Sequence, residues 1–334
     1  MKAFFTLLLD SFRMLKSGAI FWVTFGISIL VALIYLAIGF DENGLTFLGM
    51  GFFESEDLVK GSAGAESFYT EIFSFFIVGF WLSWAAIILA LISCASTFPK
   101  VMEEGSAGML LTKKSSRLGV FVAKYIGSLL FMLVQVGLFV VIVLIAMKWR
   151  LGFWNLSLFW FLPATLLVFS FLYSFLVLVA VKTRSTLTAI LLTMGLWGLT
   201  WVVNFTEAQL FRLSRLAELS EEFQDSDAQG IPSSMRSWHD NAKIAYAIFP
   251  KTTPTIDAAR NALTVNQEPE AETYEIPEGM SEEQQEFVEF MEKSEKVEED
   301  MAERHSLAYI LGTSLTFEAI MLSLAAWIFC RRDF

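Results

Sequence analysis

Residues 103–117 read EEGSAGMLLTKKSSR, a polar stretch with clustered charges between two strongly apolar segments. The flanking segments, roughly 72–98 and 119–147, contain one charged side chain between them, that of Lys124. A transmembrane helix needs about 20 predominantly apolar residues, and both segments exceed that length. Backbone amides in lipid find no water to bond, so spanning segments of this kind form helices. The stretch is therefore expected to be a loop that joins two transmembrane helices.

The whole chain has the composition of a membrane protein. Hydrophobic residues make up 55% of it and 33 residues are Phe, against about 45–50% apolar residues in soluble domains. Six segments are long enough to cross a bilayer, and four of them contain no Asp, Glu, Lys or Arg. The expected fold class is an all-α membrane protein with six transmembrane helices, at roughly 18–40, 72–98, 119–147, 156–181, 185–205 and 306–330.

Residues 1–17 precede the first of these helices and have their own pattern. Polar side chains recur there every three or four residues, which puts them on one face of a helix. Such a helix lies in the membrane interface with its polar face in water. The alternative is an extension of the first transmembrane helix with a bend at Gly18. The polar positions are Lys2, Thr6, Asp10, Arg13 and Ser17.

Residues 206–305 form a strongly acidic insertion between helices five and six. They hold 23 acidic and 9 basic side chains, a net charge of −14, whereas the remainder of the chain has +3. This balance excludes a nucleic-acid partner, which requires a basic surface. Helices one to five thus occupy 18–205, and helix six with the tail occupies 306–334. The loop from Asp41 to Glu71 is Gly-rich and acidic, and little structure is expected there.

Basic residues indicate the orientation. Short loops on the cytoplasmic side of a membrane carry an excess of Lys and Arg. The side that contains both termini holds eleven such residues, and the short loops on the other side hold Lys60, Lys148 and Arg150. Both termini are therefore expected in the cytoplasm and the 206–305 insertion outside it. The eleven are Lys2, Arg13, Lys16, Lys100, Lys113, Lys114, Arg117, Lys182, Arg184, Arg331 and Arg332.

The loop at 99–117 resembles the cytoplasmic loop of ABC-2 type permeases, the membrane subunits of ABC exporters. Members of that family tend to have an acid-Gly-Thr/Ser motif, a pair of leucines, Pro-x-Ser-Arg, and a Lys one turn into the next helix. Lys114 stands here where the family usually has proline. The matching residues are Glu104-Gly105-Ser106, Leu110-Leu111, Ser116-Arg117 and Lys124.

The resemblance implies a transport function and several partners. The loop at 99–117 would be the coupling helix that docks on a cytosolic ATPase, and a second permease chain would complete a homodimer or heterodimer. ATP and Mg²⁺ would be bound by the ATPase and not by this chain. The expected location is the bacterial inner membrane, with substrate moved outward. The coupling residues would be Glu103, Glu104, Gly105, Lys113, Lys114 and Arg117.

The sequence contains no motif of an enzyme that binds nucleotide or metal. It has neither a Gly-x-x-x-x-Gly-Lys-[Ser/Thr] phosphate loop nor a Gly-x-Gly-x-x-Gly loop. His239 and His305, the two histidines, are 66 residues apart, and no metal site or cofactor is predicted. An ATPase that drives this chain must therefore be a separate polypeptide.

Two polar residues inside the transmembrane segments are candidates for a transport pathway. Glu318 lies in the middle of helix six, where a carboxylate costs about 2.5–3.5 kcal/mol on insertion scales. It should face the bundle, either as a pathway group or as part of a buried polar pair that fixes packing. Gln135 lies at similar depth on helix three and is a possible partner. Lys124 is expected to run its stem along lipid and to place its amine among headgroups.

Two other functions remain open at this stage. A proton-coupled secondary carrier would use Glu318 and need no ATPase. A membrane scaffold would use its acidic outer domain at 206–305 to recruit a protein and would transport nothing.

Overall fold

A computed structural model of the chain describes residues 13, 16, 18–102, 116–152, 154, 156–219, 244–264, 296–297, 300–301 and 304–332. Six helices in this part of the chain are long and apolar enough to cross a membrane. The structure is thus consistent with the predicted all-α, multi-pass membrane fold. In chain order, spans one to six are Ala19–Ala37, Phe76–Val101, Arg117–Arg150, Leu156–Thr183, Thr186–Arg215 and Leu307–Arg331.

Several spans belong to longer or composite helices. Span three is part of the helix Arg117–Leu151, and span five is part of Thr186–Leu219. The predicted boundary at residue 206 therefore falls inside a continuous helix. Span two begins in a π-helix, Phe73–Ala85, and continues as the α-helices Ala86–Cys94 and Thr97–Val101. The other elements are the helices Ala63–Ile72, Phe161–Thr183, Thr252–Thr264 and Leu307–Arg331 and the 3₁₀ turns Glu56–Leu58 and Leu156–Trp160.

Local sequence explains where the helices begin and end. Ser116 and Ser306 are N-caps whose hydroxyls accept hydrogen bonds from Gly119 N (3.0 Å) and Tyr309 N (3.3 Å). Such caps satisfy amides that the helix itself leaves unbonded. Span three ends at Gly152, whose left-handed conformation (φ 84°) closes the helix, as glycine commonly does.

Span four is the centre of the bundle. It packs against spans three, five and six as well as against part of span two. Its side chains from Val168 to Val177 are almost all buried. Spans one, five and six bury much smaller shares of their surfaces within the chain. The described core is therefore built around span four, and the other spans leave broad apolar faces uncovered.

Hydrogen bonds between helix ends show which spans end on the same side of the bundle. The Arg150 guanidinium donates to Leu36 O (3.0 Å), which joins the end of span three to the end of span one. At the opposite end of the bundle, Arg332 donates to Lys182 O (2.7 Å), which joins spans six and four. The first of these ends carries a small β-sheet and is called the sheet end; the other is the tail end.

The chain between spans one and two forms a three-stranded antiparallel sheet. The strands are β1 (Ile38–Phe40), β2 (Gly44–Phe47) and β3 (Met50–Glu54), in the order β1-β2-β3. The expectation that Asp41–Glu71 has little structure is wrong, because two tight connections let its apolar residues pair as strands. A β-bulge interrupts the pairing of β2 with β3 next to Thr46.

The helix Thr252–Thr264 packs at the sheet end against spans four, five and six. Lys251, at its start, is fully buried, and so are Thr252 and Thr255. This part of the insertion is therefore an integral layer of the bundle and not a separate domain.

Candidate functional site

Glu318 of span six is hydrogen-bonded to two neighbouring spans. Its Oε1 accepts a 2.7 Å hydrogen bond from the hydroxyl of Tyr125 on span three. Its Oε2 lies 3.0 Å from the hydroxyl of Ser170 on span four. The carboxylate thus has donors on both oxygens, and it joins the middle of spans four and six to the first third of span three. The prediction that Glu318 faces the bundle agrees with this geometry.

Aromatic and hydroxyl side chains extend this polar layer across spans three and four. The ring of Tyr125 stacks on Tyr173 at 5.4 Å, and Tyr173 stacks on Phe169 at 5.1 Å. The Tyr173 hydroxyl is 2.7 Å from that of Ser128. Two hydrogen-bonded pairs, Tyr125 with Glu318 and Tyr173 with Ser128, are therefore joined by stacked rings in the interior of the bundle.

Lys124 and Gln135 do not lie where the sequence predicted. Lys124 is buried, with 1% of its surface exposed, so it does not run along lipid. Ser128, one turn further along span three, contacts Tyr173 of span four, and the sequence of one helix contains no signal of such a neighbour. The Gln135 amide donates to Ser28 of span one (3.0 Å), and Glu318 bonds elsewhere. The two pathway candidates thus belong to separate polar contacts.

Arg117 connects the start of span three to the C-terminal end of span six. Its Nη1 donates to Cys330 O (3.0 Å) and to Arg332 O (2.6 Å). Arg332 in turn donates to Lys182 O, in the last turn of span four. Three spans are therefore tied together at the tail end. The other predicted coupling residues, Glu103, Glu104, Gly105, Lys113 and Lys114, lie outside the described residues, as do positions 1–12 of the predicted interfacial helix.

Aromatic packing adds a second contact at the tail end. Phe98, in the last helix of span two, lies 5.1 Å from Phe121 of span three and 6.1 Å from Phe329 of span six. Phe121 and Phe329 are 5.7 Å apart. Both arms of the hairpin between spans two and three therefore rest against the end of span six.

An ionic cluster lies at the sheet end, and the sequence did not predict it. The Glu207 carboxylate is buried (1% exposed) and pairs with Arg304 at 3.5 Å and with His305 at 3.2 Å. The His305 ring packs beside those of Tyr246 (4.8 Å) and Tyr309 (5.2 Å), which lie 6.4 Å from each other. The partners are about 100 positions apart in the chain, so local spacing contained no signal of their contact.

Lys251 is enclosed beside this cluster. Its ammonium lies 4.9 Å from the ring centre of Tyr246 and 5.5 Å from that of Tyr309. It also donates to Ala247 O (3.1 Å) and Phe249 O (2.9 Å). Burial lowers the pKa of Lys251 to about 8, because the charged form loses hydration.

Asp257 lines two cavities at the sheet end. One, of about 210 Å³, is also lined by Arg304 and His305, and the other, of about 130 Å³, is lined by Trp197 and Arg260. Burial raises the pKa of the Asp257 carboxyl, while Arg260 and Arg304 act in the opposite direction. A carboxyl between two cavities is a group that could contact a small polar ligand.

Among the described residues, no group of three or more His, Cys, Asp or Glu side chains is arranged to hold a metal ion. No family model matches the chain, and comparisons with curated proteins and with solved structures give no match either.

Proposed function

We propose that this chain is the permease subunit of an ABC-2 type exporter, which moves a substrate outward while a separate subunit hydrolyses ATP. The resemblance at Glu104–Ser106, Leu110-Leu111, Ser116-Arg117 and Lys124 supports this proposal. Those residues belong to the connection between spans two and three, or to the first turns of span three, as a coupling element requires.

One observation carries the proposal, namely the attachment of Arg117 to the end of span six. An ATPase that moves the 99–117 hairpin would pull on Cys330 and Arg332 through two hydrogen bonds. Phe98 and Phe121 would transmit the same movement through their contacts with Phe329. The hairpin is thus mechanically connected to a span that is not its neighbour in the chain.

Span six would carry this movement along the bundle. Glu318, in its middle, contacts spans three and four. Nearer the sheet end, Ser314 accepts a hydrogen bond from Lys251 N (2.9 Å) at the start of the helix Thr252–Thr264. A shift of span six therefore changes contacts at the tail end, in the centre and beside the cavities around Asp257. That sequence of contacts suits alternating access.

The proposal includes an orientation and two partners. The excess of Lys and Arg at the tail end argues that this end faces the cytoplasm. The ATPase would bind the chain on that side. The sheet end and the 206–305 insertion would then face outward, where an extracytoplasmic protein is a further possible partner. Spans five and six leave wide apolar surfaces, which offer room for a second permease chain.

Co-purification with an ATPase tests the proposal. We expect a cytosolic ATPase with a phosphate loop to co-purify with the wild-type chain from its native host, and Glu104→Lys to abolish this association. Lys60→Glu, a charge reversal at the opposite end of the bundle, should leave it intact. The proposal is rejected if no such subunit associates, or if tagging shows that the hairpin is extracytoplasmic.

A proton-coupled carrier is the second candidate, and the hydrogen-bonded carboxylate of Glu318 favours it. Such a carrier would lose transport when the proton gradient is collapsed and would ignore ATP. Glu318→Gln and Glu318→Leu should both stop a carrier of this kind. If the chain is instead a scaffold, neither ATP nor a proton gradient will produce transport.

A further inference from the structure

The turn between β2 and β3 lies beside the end of span one. Leu48 N donates to the carbonyl of Ala37, the last residue of span one, at 2.9 Å. Ile38, the next residue, pairs with Phe47 across the sheet. Strand β1 therefore leads away from the helix and β2 returns, so that the Leu48–Gly49 turn comes back to the level at which span one ends.

That level corresponds to the edge of the hydrocarbon core. Span one has 19 residues, or about 28 Å at 1.5 Å per residue, close to the roughly 30 Å of hydrocarbon in a bilayer. Trp149 ends span three at the same level, since its neighbour Arg150 donates to Leu36 O. Trp149 is 70% exposed, as is typical of aromatic side chains at the membrane interface.

The hairpin is apolar at the end that returns to this level. No charged residue occurs from Gly44 to Phe53. The side chains of Leu48, Met50 and Phe52 are between 68% and 75% exposed. At the opposite end of the hairpin Gly44 pairs with Glu54, and Asp41 N donates to Gly44 O. Polarity therefore rises along the hairpin with distance from the end of span one.

The conformation of the turn is unfavourable for leucine. Leu48 and Gly49 have φ values of 54° and 79°, a pair of positive values that favours Asn-Gly or Gly-Gly. A leucine side chain in this region crowds its own backbone. Leu48 gains little packing within the chain in return, because most of its surface is exposed. An apolar medium around the turn would supply the missing contact.

We propose that the hairpin Gly44–Glu54 inserts its turn into the phospholipid leaflet beside span one. Leu48 and Met50 then lie among the upper acyl chains, and Phe52 lies at the headgroup boundary. Asp41 and Glu54 remain in water. The occupant of this surface is lipid, because the surface continues the lipid-facing side of span one and ends where charges begin. This inference does not depend on the transport function proposed above.

Depth measurement by fluorescence tests the proposal on the full chain. In a background with Cys94→Ser and Cys330→Ser, the environment-sensitive fluorophore NBD is attached to Leu48→Cys and, separately, to Met50→Cys. Lys60→Cys is the matched control, since Lys60 is exposed and its amide bonds to Asp41 O, at the far end of the hairpin. Each protein is reconstituted into vesicles of phosphatidylcholine and phosphatidylglycerol, with or without nitroxide-labelled lipid.

We expect NBD at positions 48 and 50 to emit at shorter wavelength, to be quenched by nitroxide lipid and to resist aqueous iodide. NBD at position 60 should show the reverse. Quenching of positions 48 and 50 by iodide would overturn the proposal, because the turn would then lie in water. Protection from both quenchers would also overturn it, since a protein surface and not lipid would cover the turn. Met50→Cys decides the outcome if Leu48→Cys does not fold.

Discussion

Tyr125 of span three donates a 2.7 Å hydrogen bond to Glu318 of span six, although the two residues are 193 positions apart. Removal of this hydroxyl leaves Ser170 beside the carboxylate. We expect Tyr125→Phe to lower the free energy of unfolding by about 1 kcal/mol, a usual magnitude for hydrogen bonds between membrane helices. The measurement is chemical unfolding in mixed micelles.

Thr316→Val is the matched control for Tyr125→Phe. It also removes one hydroxyl, but the Thr316 hydroxyl bonds only within span six, to Gly312 O (2.7 Å), and its side chain is exposed. Its effect on unfolding should be close to zero. Equal effects of the two substitutions would show that the bond between Tyr125 and Glu318 does not hold spans three and six together.

Arg117→Lys tests the junction at the tail end. A guanidinium presents several donors in a fixed plane and can reach the carbonyls of Cys330 and Arg332 at once, whereas an ammonium is a point donor on a flexible stem. We expect faster hydrogen–deuterium exchange of the last turn of span six in this variant. Exchange near Ser306, at the other end of the same helix, should stay unchanged. Unaltered exchange at both ends would contradict the proposed mechanical connection.

Apolar patterning was sufficient to predict the number and approximate positions of the six spans. Backbone amides and carbonyls in lipid must bond within the protein, and long apolar segments satisfy this as helices. It was also sufficient to single out Glu318, since a carboxylate in that setting is costly. Its partners were not predictable. Tyr125 and Ser170 are neutral residues in apolar segments, and which helices are neighbours depends on packing that one chain's hydropathy does not encode.

The ionic cluster and the sheet escaped prediction for a different reason. The sequence placed Glu207 in the insertion at 206–305, and nothing in it indicated that the helix of span five buries this carboxylate against Arg304 and His305. The β2–β3 turn reads Leu-Gly, which lacks the Asn or Asp that usually indicates a hairpin. In both cases a contact made elsewhere in the fold overrides the local preference.

Leu48→Asn should stabilise the isolated protein in detergent. Asparagine tolerates a positive φ better than leucine, and relief of the left-handed leucine is worth about 1 kcal/mol. We expect a higher unfolding midpoint in micelles, together with a shallower position of the hairpin in bilayers. Met50→Asn is the control, because Met50 does not have a positive φ. A midpoint that rises equally in both variants would contradict the role of turn conformation.

The pair of Glu207 and Arg304 should be strongly coupled. Arg304→Met leaves a carboxylate that is 1% exposed with His305 as its remaining partner, and loss of one partner of a buried ion pair costs about 3 kcal/mol. In a Glu207→Gln background the same substitution should cost much less. A double-mutant cycle with unfolding free energies measures the difference, expected to be about 1–3 kcal/mol. A coupling near zero would mean that water already screens the pair.

Lys251 should make stability depend on pH between about 8 and 10.5. Burial lowers its pKa from 10.5 to about 8 in the folded chain, so in this range the unfolded chain holds the proton and the folded chain has released it. Stability therefore rises with pH across this interval, and the cost of burying the charge is fully present below pH 8. Lys251→Met carries no such charge. The unfolding midpoint of the wild type should therefore increase relative to that of the variant as pH rises from 7.5 to 10. A constant difference over that range would show that the Lys251 ammonium remains protonated beside Tyr246 and Tyr309.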